Sequence, residues 1–262
     1  MSFLNPFLDW ANSCLDEEED AQEYLLSRGI SEEQWKRHRI GYINGAYEVD
    51  PSVDPAHNEN CGDKHQKHLW CDICRYQWWS STWEGEEDRP KQRFIGKRLI
   101  GNIVFPLTAY TGAVIGFQVR SIIEKSYDTF AIKRRPEGYF FGTQAAINSI
   151  WSTKEVTLVE GGPDHLVWER LISPNVLALT TSAVGKAQFR FLRRFVKTVN
   201  MCLDMDGPGR QGVLSFIEYN ADYFNIRNIK YPSLRKGDKD LGDLWKRWGD
   251  EKFRRYFLNN WR

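Results

Sequence analysis

The sequence predicts an α/β protein: an α+β N-terminal part, then a Rossmann-like, mostly parallel sheet. Three observations carry this. From Glu155 onward, β-type apolar runs alternate with helical stretches through four strands, the pattern of strands joined by crossover helices. Between Asn102 and Arg120 the pattern is that of a hairpin. And with 262 residues, 41% hydrophobic and 14% aromatic, the chain can bury a sizeable core and is not a disordered segment.

In chain order, Ala21 to Gly41 reads as two helices. Tyr24, Leu25 and Leu26 supply apolar positions, Gly29 suits a helix stop, and Ser31 with Gln34 fits a capping box. Residues 47–90 are rich in Asp, Pro, Asn, Cys, His and Trp without a period, and read as an irregular insertion. NIVFPL and AVIGFQV flank a turn at Thr111-Gly112. Then come the strand EVTLVE and a helix from about Pro163 to Leu171, and the strand NVLALT and a helix from about Lys186 to Lys197. The strand TVNMCLD, a helix from about Gly209 to Tyr219 and a final strand NIKYPS complete the series. The expected division is 1–150, 151–235 and 236–262, the last a motif loop with short helices.

Net charge is +1, so any affinity for nucleic acid must come from local basic patches. No apolar run reaches the roughly 18 residues of a membrane span, and the N-terminus lacks the basic-then-apolar order of a secretory signal. This places the chain in a cytoplasm, that of the host if a phage encodes it, where disulfides between its five cysteines are not expected.

Carboxylates fall at successive strand ends: Glu160 and Asp164 in EGGPD, Asp204 and Asp206 in LDMDGPG, Asp240 and Asp243 in KGDKDLGDL. Parallel sheets place their sites at such ends. Carboxylates gathered together repel one another unless a cation lies between them, and hard oxygen ligands suit Mg²⁺ or Mn²⁺. Taken singly, Asp and Gly are also common in strand-to-helix loops and caps.

Glu-Gly with Asp after one strand, Asp-x-Asp-x-x-Gly after another, and Lys-Asp before a last helix together resemble the Toprim domain of primases, topoisomerases and some nucleases. The resemblance gives Glu160 acid–base or metal work, makes Asp204 and Asp206 metal ligands, and gives Asp164 and Asp240 supporting roles. YLLSRGISEEQWKRHRIGY, NIVFPLTAYTGAVIGFQVR and GYFFG are similar, in order, to segments of DnaG-type primases. That resemblance covers Glu23 to Asp243. It implies primer synthesis on single-stranded DNA from nucleoside triphosphates, with Arg120 touching template or nucleotide phosphate and a separate replicative helicase as partner. Asn102 stands where the family usually has a basic residue, with Lys97 and Arg98 just upstream; Gly242 stands where it has an acid, with Asp243 next to it. The family's separate zinc and helicase-associated domains have no counterpart in the sequence, which looks like a phage-type core.

The insertion contains CGDKHQKHLWCDIC. Cys71-x-x-Cys74 has zinc-knuckle spacing, and Cys61 with His65 or His68 would complete a tetrahedral site. The other reading is a coincidence of soft residues in a Trp-rich loop. Lys97, Arg98, Lys133 and Arg134 flank the hairpin as candidate phosphate contacts. Lys186, Arg190, Arg193, Arg194 and Lys197 recur at helical spacing and read as the solvated face of an amphipathic helix. The expected activity is metal-dependent nucleotidyl transfer making short RNA primers. The alternatives are a Toprim nuclease and a non-catalytic, zinc-stabilised single-strand-binding subunit.

Overall fold

The computed structural model describes residues 4–45, 47, 99–123, 126–131, 139–232 and 238–260. The cysteine–histidine cluster (Cys61, His65, His68, Cys71, Cys74) and Lys97, Arg98, Lys133 and Arg134 lie outside the described residues. The chain forms two compact units. The first comprises 1–22, 35–106 and 116–133; the second comprises 23–34, 107–115 and 134–262.

The first unit opens with a helix the sequence reading did not anticipate, α1 (Leu4–Glu17). Its buried residues Leu4, Phe7, Leu8, Ala11 and Leu15 recur at the three- and four-residue spacing of an amphipathic helix. Strand β1 (Gly41–Ile43) packs on it. A Cβ at Gly41 would sit 2.6 Å from Ala11, so only glycine permits this approach. β1 pairs antiparallel with β2 (Asn102–Thr108). β3 (Val114–Ser121) and β4 (Tyr127–Ala131) extend that sheet. Phe7 and Phe117 meet in the core with ring centroids 4.9 Å apart.

Helices α2 (Glu19–Ser27) and α3 (Glu32–Arg37) are the two expected between 21 and 41. Gly29 ends the first at φ 79°. The capping box is present: Gln34 N–H donates to Ser31 Oγ at 3.4 Å and Ser31 N–H to Gln34 Oε1 at 3.3 Å.

The second unit is the α/β sheet. It contains β5 (Phe140–Phe141), β6 (Glu155–Val159), β7 (Val176–Ala178), β8 (Thr198–Met201) and β9 (Asn225–Asn228). Spatial order is β5-β7-β6-β8-β9; β6 to β9 are mutually parallel, and β5 is antiparallel to β7. Helices α4 (Thr143–Thr153), α6 (Lys186–Phe195) and α7 (Gly207–Asn220) share one core cluster with Val156, Leu158, Val199 and Met201. Helices α5 (Gly162–Leu171) and α8 (Leu241–Asn260) pack together elsewhere, Trp168 meeting Phe257 at 5.2 Å. The last strand lies earlier than NIKYPS suggests. It ends at Asn228, Ile229 turns inward, and Pro232 can donate no ladder hydrogen bond. After the loop, the C-terminal segment is helical over Leu241–Asn260, broken at Gly249 (φ 68°) into two helices.

Candidate active site

The order β7-β6-β8 sends the chain from β6 to one side and then back to the other. The carboxyl ends of β6 and β8, where those connections diverge, are the switch point at which such sheets carry their sites. Glu160 follows β6 and Asp204 follows β8.

Local structure fixes each carboxylate differently. Thr180 N–H donates to Glu160 O at 2.9 Å, continuing the β6–β7 pairing through the site residue. Thr180 itself then turns the chain at φ 63°, a left-handed conformation that a β-branched residue adopts only at a cost. Asp206 is the N-cap of α7, its Oδ1 accepting from Gly209 N–H at 2.9 Å. A Cβ at Gly209 would lie 2.2 Å from Asp204 O, so the glycine of Asp-x-Asp-x-x-Gly lets the first turn of α7 rest on Asp204. Asp164, in the first turn of α5, accepts Gly242 N–H at 3.0 Å. Asp240 caps the start of α8, accepting Asp243 N–H at 2.7 Å. Asp243 itself accepts Lys239 N–H at 3.2 Å.

The carboxylates act on one another. Burial, then Asp164, Glu160 and Asp240, push the Asp204 pKa up from 3.8 to about 9. Burial and Asp206 raise Glu160, against the opposing influence of Lys239 and a backbone hydrogen bond from Asp204. Glu160 Oε2 is buried with no hydrogen-bond partner among the described residues. An all-oxygen donor set, an orphaned buried carboxylate oxygen and a neighbour that resists ionisation fit a hard divalent cation. Among the described residues no three of these carboxylate oxygens lie within 4.8 Å of one another, so one ion held by three of them requires the side chains to draw inward.

One charged residue escaped the sequence reading. Arg28, at the end of α2, is buried and lies 3.5 Å from Asp240 Oδ2. Burial pulls its pKa down, but Asp240 and Asp164 outweigh this and hold it charged. Its motif, Leu-x-x-Arg-Gly-Ile-Ser, was visible; its partner Asp240 lies far along the chain, whereas nearer acids such as Glu32 and Glu33 do not pair with it in the salt bridge formed. Gly242 sits against the same arginine: a Cβ there would approach Arg28 Nη2 to 2.8 Å and Asp240 Oδ1 to 3.2 Å, so a side chain at this position would have to displace the Arg28 guanidinium. Beneath Asp204, Cys202 is buried with its Sγ 3.8 Å from Tyr231 Oη, and burial pushes its thiol far above the usual range. It is not a nucleophile.

In the first unit, Arg120 lies on β3 with its guanidinium 4.6 Å over the half-exposed Tyr127 ring. Asn102 is buried and donates to Leu99 O at 3.0 Å, a structural use in place of a basic contact. No helix among the described residues is long and apolar enough to cross a membrane.

No family model matches the chain. Among curated proteins, it is 23% identical over 254 residues to a DNA primase of Thermotoga maritima, covering 94% of this chain and 40% of that one. A DNA primase of Clostridium acetobutylicum is 24% identical over 257 residues, covering 94% and 38%. The chain thus spans about two fifths of these relatives. Among solved structures, the zinc-binding and RNA polymerase domains of Aquifex aeolicus primase align with TM-score 0.71 at 22% identity, covering 98% of this chain and 60% of that one. The RNA polymerase domain of Mycobacterium tuberculosis primase DnaG gives 0.70 at 17%, covering 97% and 80%. A DnaG primase catalytic domain bound to single-stranded DNA gives 0.68 at 19%, covering 98% and 79%. The mixed α/β fold is therefore that of the DnaG catalytic core.

Proposed function

We propose that this chain is the catalytic core of a DnaG-type primase, making short RNA primers on single-stranded DNA from nucleoside triphosphates. The observation that carries the reading is the convergence of Glu160, Asp164, Asp204, Asp206 and Asp240 near the carboxyl ends of β6 and β8, in a sheet built like the DnaG core. Relatives named DNA primase, matched over more than nine tenths of the chain, support the same reading.

In this reading Glu160, Asp204 and Asp206 hold Mg²⁺ or Mn²⁺, which when bound neutralises charge on the transferred phosphate and its leaving pyrophosphate. Asp164 and Asp240 do not compete for that role directly. Their oxygens orient the backbone at Gly242 and Asp243, so they position the loop before α8 under the cluster. Arg28 holds Asp240 in place and balances part of the local negative charge. Partial burial of Glu160 and Asp204 weakens solvent screening of the carboxylates, which would strengthen their hold on a divalent cation. Arg120, with Lys97, Arg98, Lys133 and Arg134, is assigned to template or nucleotide phosphate. The segment with Cys61, His65, His68, Cys71 and Cys74 is assigned a structural zinc, residues 151–235 the Toprim domain, and the gene a phage-like origin with a cytoplasmic product and a separate helicase partner.

The test is incorporation of labelled ribonucleotides on a single-stranded DNA template with Mg²⁺. Asp204→Ala should reduce it by at least about a hundredfold, the scale on which removing a key electrostatic group acts, with circular dichroism unchanged. Full activity in the folded variant defeats the metal assignment, and metal-dependent cleavage without incorporation replaces primer synthesis by nuclease action.

A further inference from the structure

We infer that the outward face of α6, together with the end of α4, is a second contact surface for single-stranded nucleic acid, leading from the carboxylate edge of the sheet to its opposite edge. The direction of travel rests on the proposed template-directed chemistry; the contact itself does not.

Helix α6 buries Gln188, Phe191, Leu192 and Phe195 and exposes Lys186, Arg190, Arg193 and Arg194, with Lys197 exposed just beyond its end. A helix that is merely solvated mixes signs on its outer face. This one does not: no Asp or Glu occurs between Glu169 and Asp204, in a chain whose net charge is only +1. The positive charge is therefore local, as a phosphate-tracking surface requires.

The fold gives this stripe a direction. α6 begins after the carboxyl end of β7, on the side where the carboxylates gather. At its far end Lys197 N–H and Thr198 N–H both donate to Lys154 O, at 2.7 and 3.0 Å, where β6 and β8 begin. Ten residues of helix span about 15 Å, enough for two or three consecutive phosphates of an extended strand. Lys154 continues the stripe, its ammonium 5.6 Å over the ring of Trp151, which is 62% exposed.

Aromatic rings accompany the cations along the path. Arg194 lies 5.2 Å over Tyr110, and Arg193 lies 4.6 Å over Tyr223. Guanidinium planes laid over aromatic rings present flat outer faces on which unpaired bases stack, whereas a duplex offers its phosphates but few free base faces. Glu218 and Asp222 are exposed on the α7 side and bound the stripe there, so the path follows α6 towards Trp151.

The test is fluorescence anisotropy of a labelled oligothymidylate and of a duplex of equal length, with the full chain in EDTA at several salt concentrations. The triple variant Lys186→Ala, Arg190→Ala, Lys197→Ala should bind the single strand about tenfold more weakly, with a salt slope shallower by roughly 2. Trp151→Ala should weaken single-strand binding several-fold and leave the salt slope unchanged. Both variants should unfold at the parent's temperature. Binding of the folded triple variant within twofold of the parent overturns the inference while leaving the catalytic reading intact. Equal affinity for duplex and single strand with a neutral Trp151→Ala also overturns it. Loss of binding in these variants of a chain that incorporates no nucleotide would uphold the surface and sink the catalytic reading instead.

Discussion

At the scale of single residues, the site depends on what two glycines omit as much as on what the acids supply. Gly209 lets α7 begin directly on the backbone of Asp204. Gly209→Ala should lower stability by about 2 kcal/mol, the range of overpacking a filled site, and should also depress incorporation, because relief of the clash moves Asp204 or the Asp206 cap. Chemical denaturation and the incorporation assay would check both; a variant with parental stability and activity contradicts the close approach. Residue chemistry was the most legible part of the sequence. Glu160, Asp204 and Asp206 could be nominated because strand-to-helix boundaries put them at one edge of a parallel sheet. Arg28 could not, since its pairing with Asp240 exists only after residues far apart in sequence are folded together.

At the scale of elements, the central parallel strands were readable as continuous apolar runs because both of their faces are buried, and the helices by their buried stripes and caps. The strands at 155–159, 176–178 and 198–201 and their helices follow such patterns closely. β9 does not, because an edge strand with mostly exposed side chains carries little hydrophobic pattern to fix its ends. α1 carries a full apolar stripe at three- and four-residue spacing, a signal legible in the sequence itself. One connection also stores strain. Thr180 holds a left-handed backbone at φ 63° immediately after the N–H that bonds Glu160 O. Thr180→Gly should stabilise the fold by about 1 kcal/mol, raising the melting temperature by roughly 2–4 °C, with the hydrogen bond retained. A lower melting temperature would mean that the threonine side chain contributes more than its backbone costs.

At the scale of the whole molecule, the carboxylate cluster ties stability to pH and to cations. Asp204 has its pKa raised from 3.8 to about 9 in the folded state. Between those values the folded protein holds a proton that the unfolded chain has released, so this group's contribution makes stability fall as pH rises from about 4 to about 9. In EDTA the melting temperature should therefore drop between pH 6 and pH 9. Asp204→Asn should flatten that drop, and millimolar Mg²⁺ should raise the melting temperature most at the alkaline end. A parent chain with equal melting temperatures at pH 6 and pH 9 in EDTA contradicts the electrostatic account. The clamp between Arg28 and Asp240 has a further consequence, for biosynthesis. Synthesis delivers Arg28 first and Asp240 only after the whole of the intervening chain, so the nascent polypeptide carries Glu160, Asp164, Asp204 and Asp206 before the loop that braces them can close. Closure of a contact this distant in sequence is slow, so the brace on the carboxylate loop forms after the local structure it rests on.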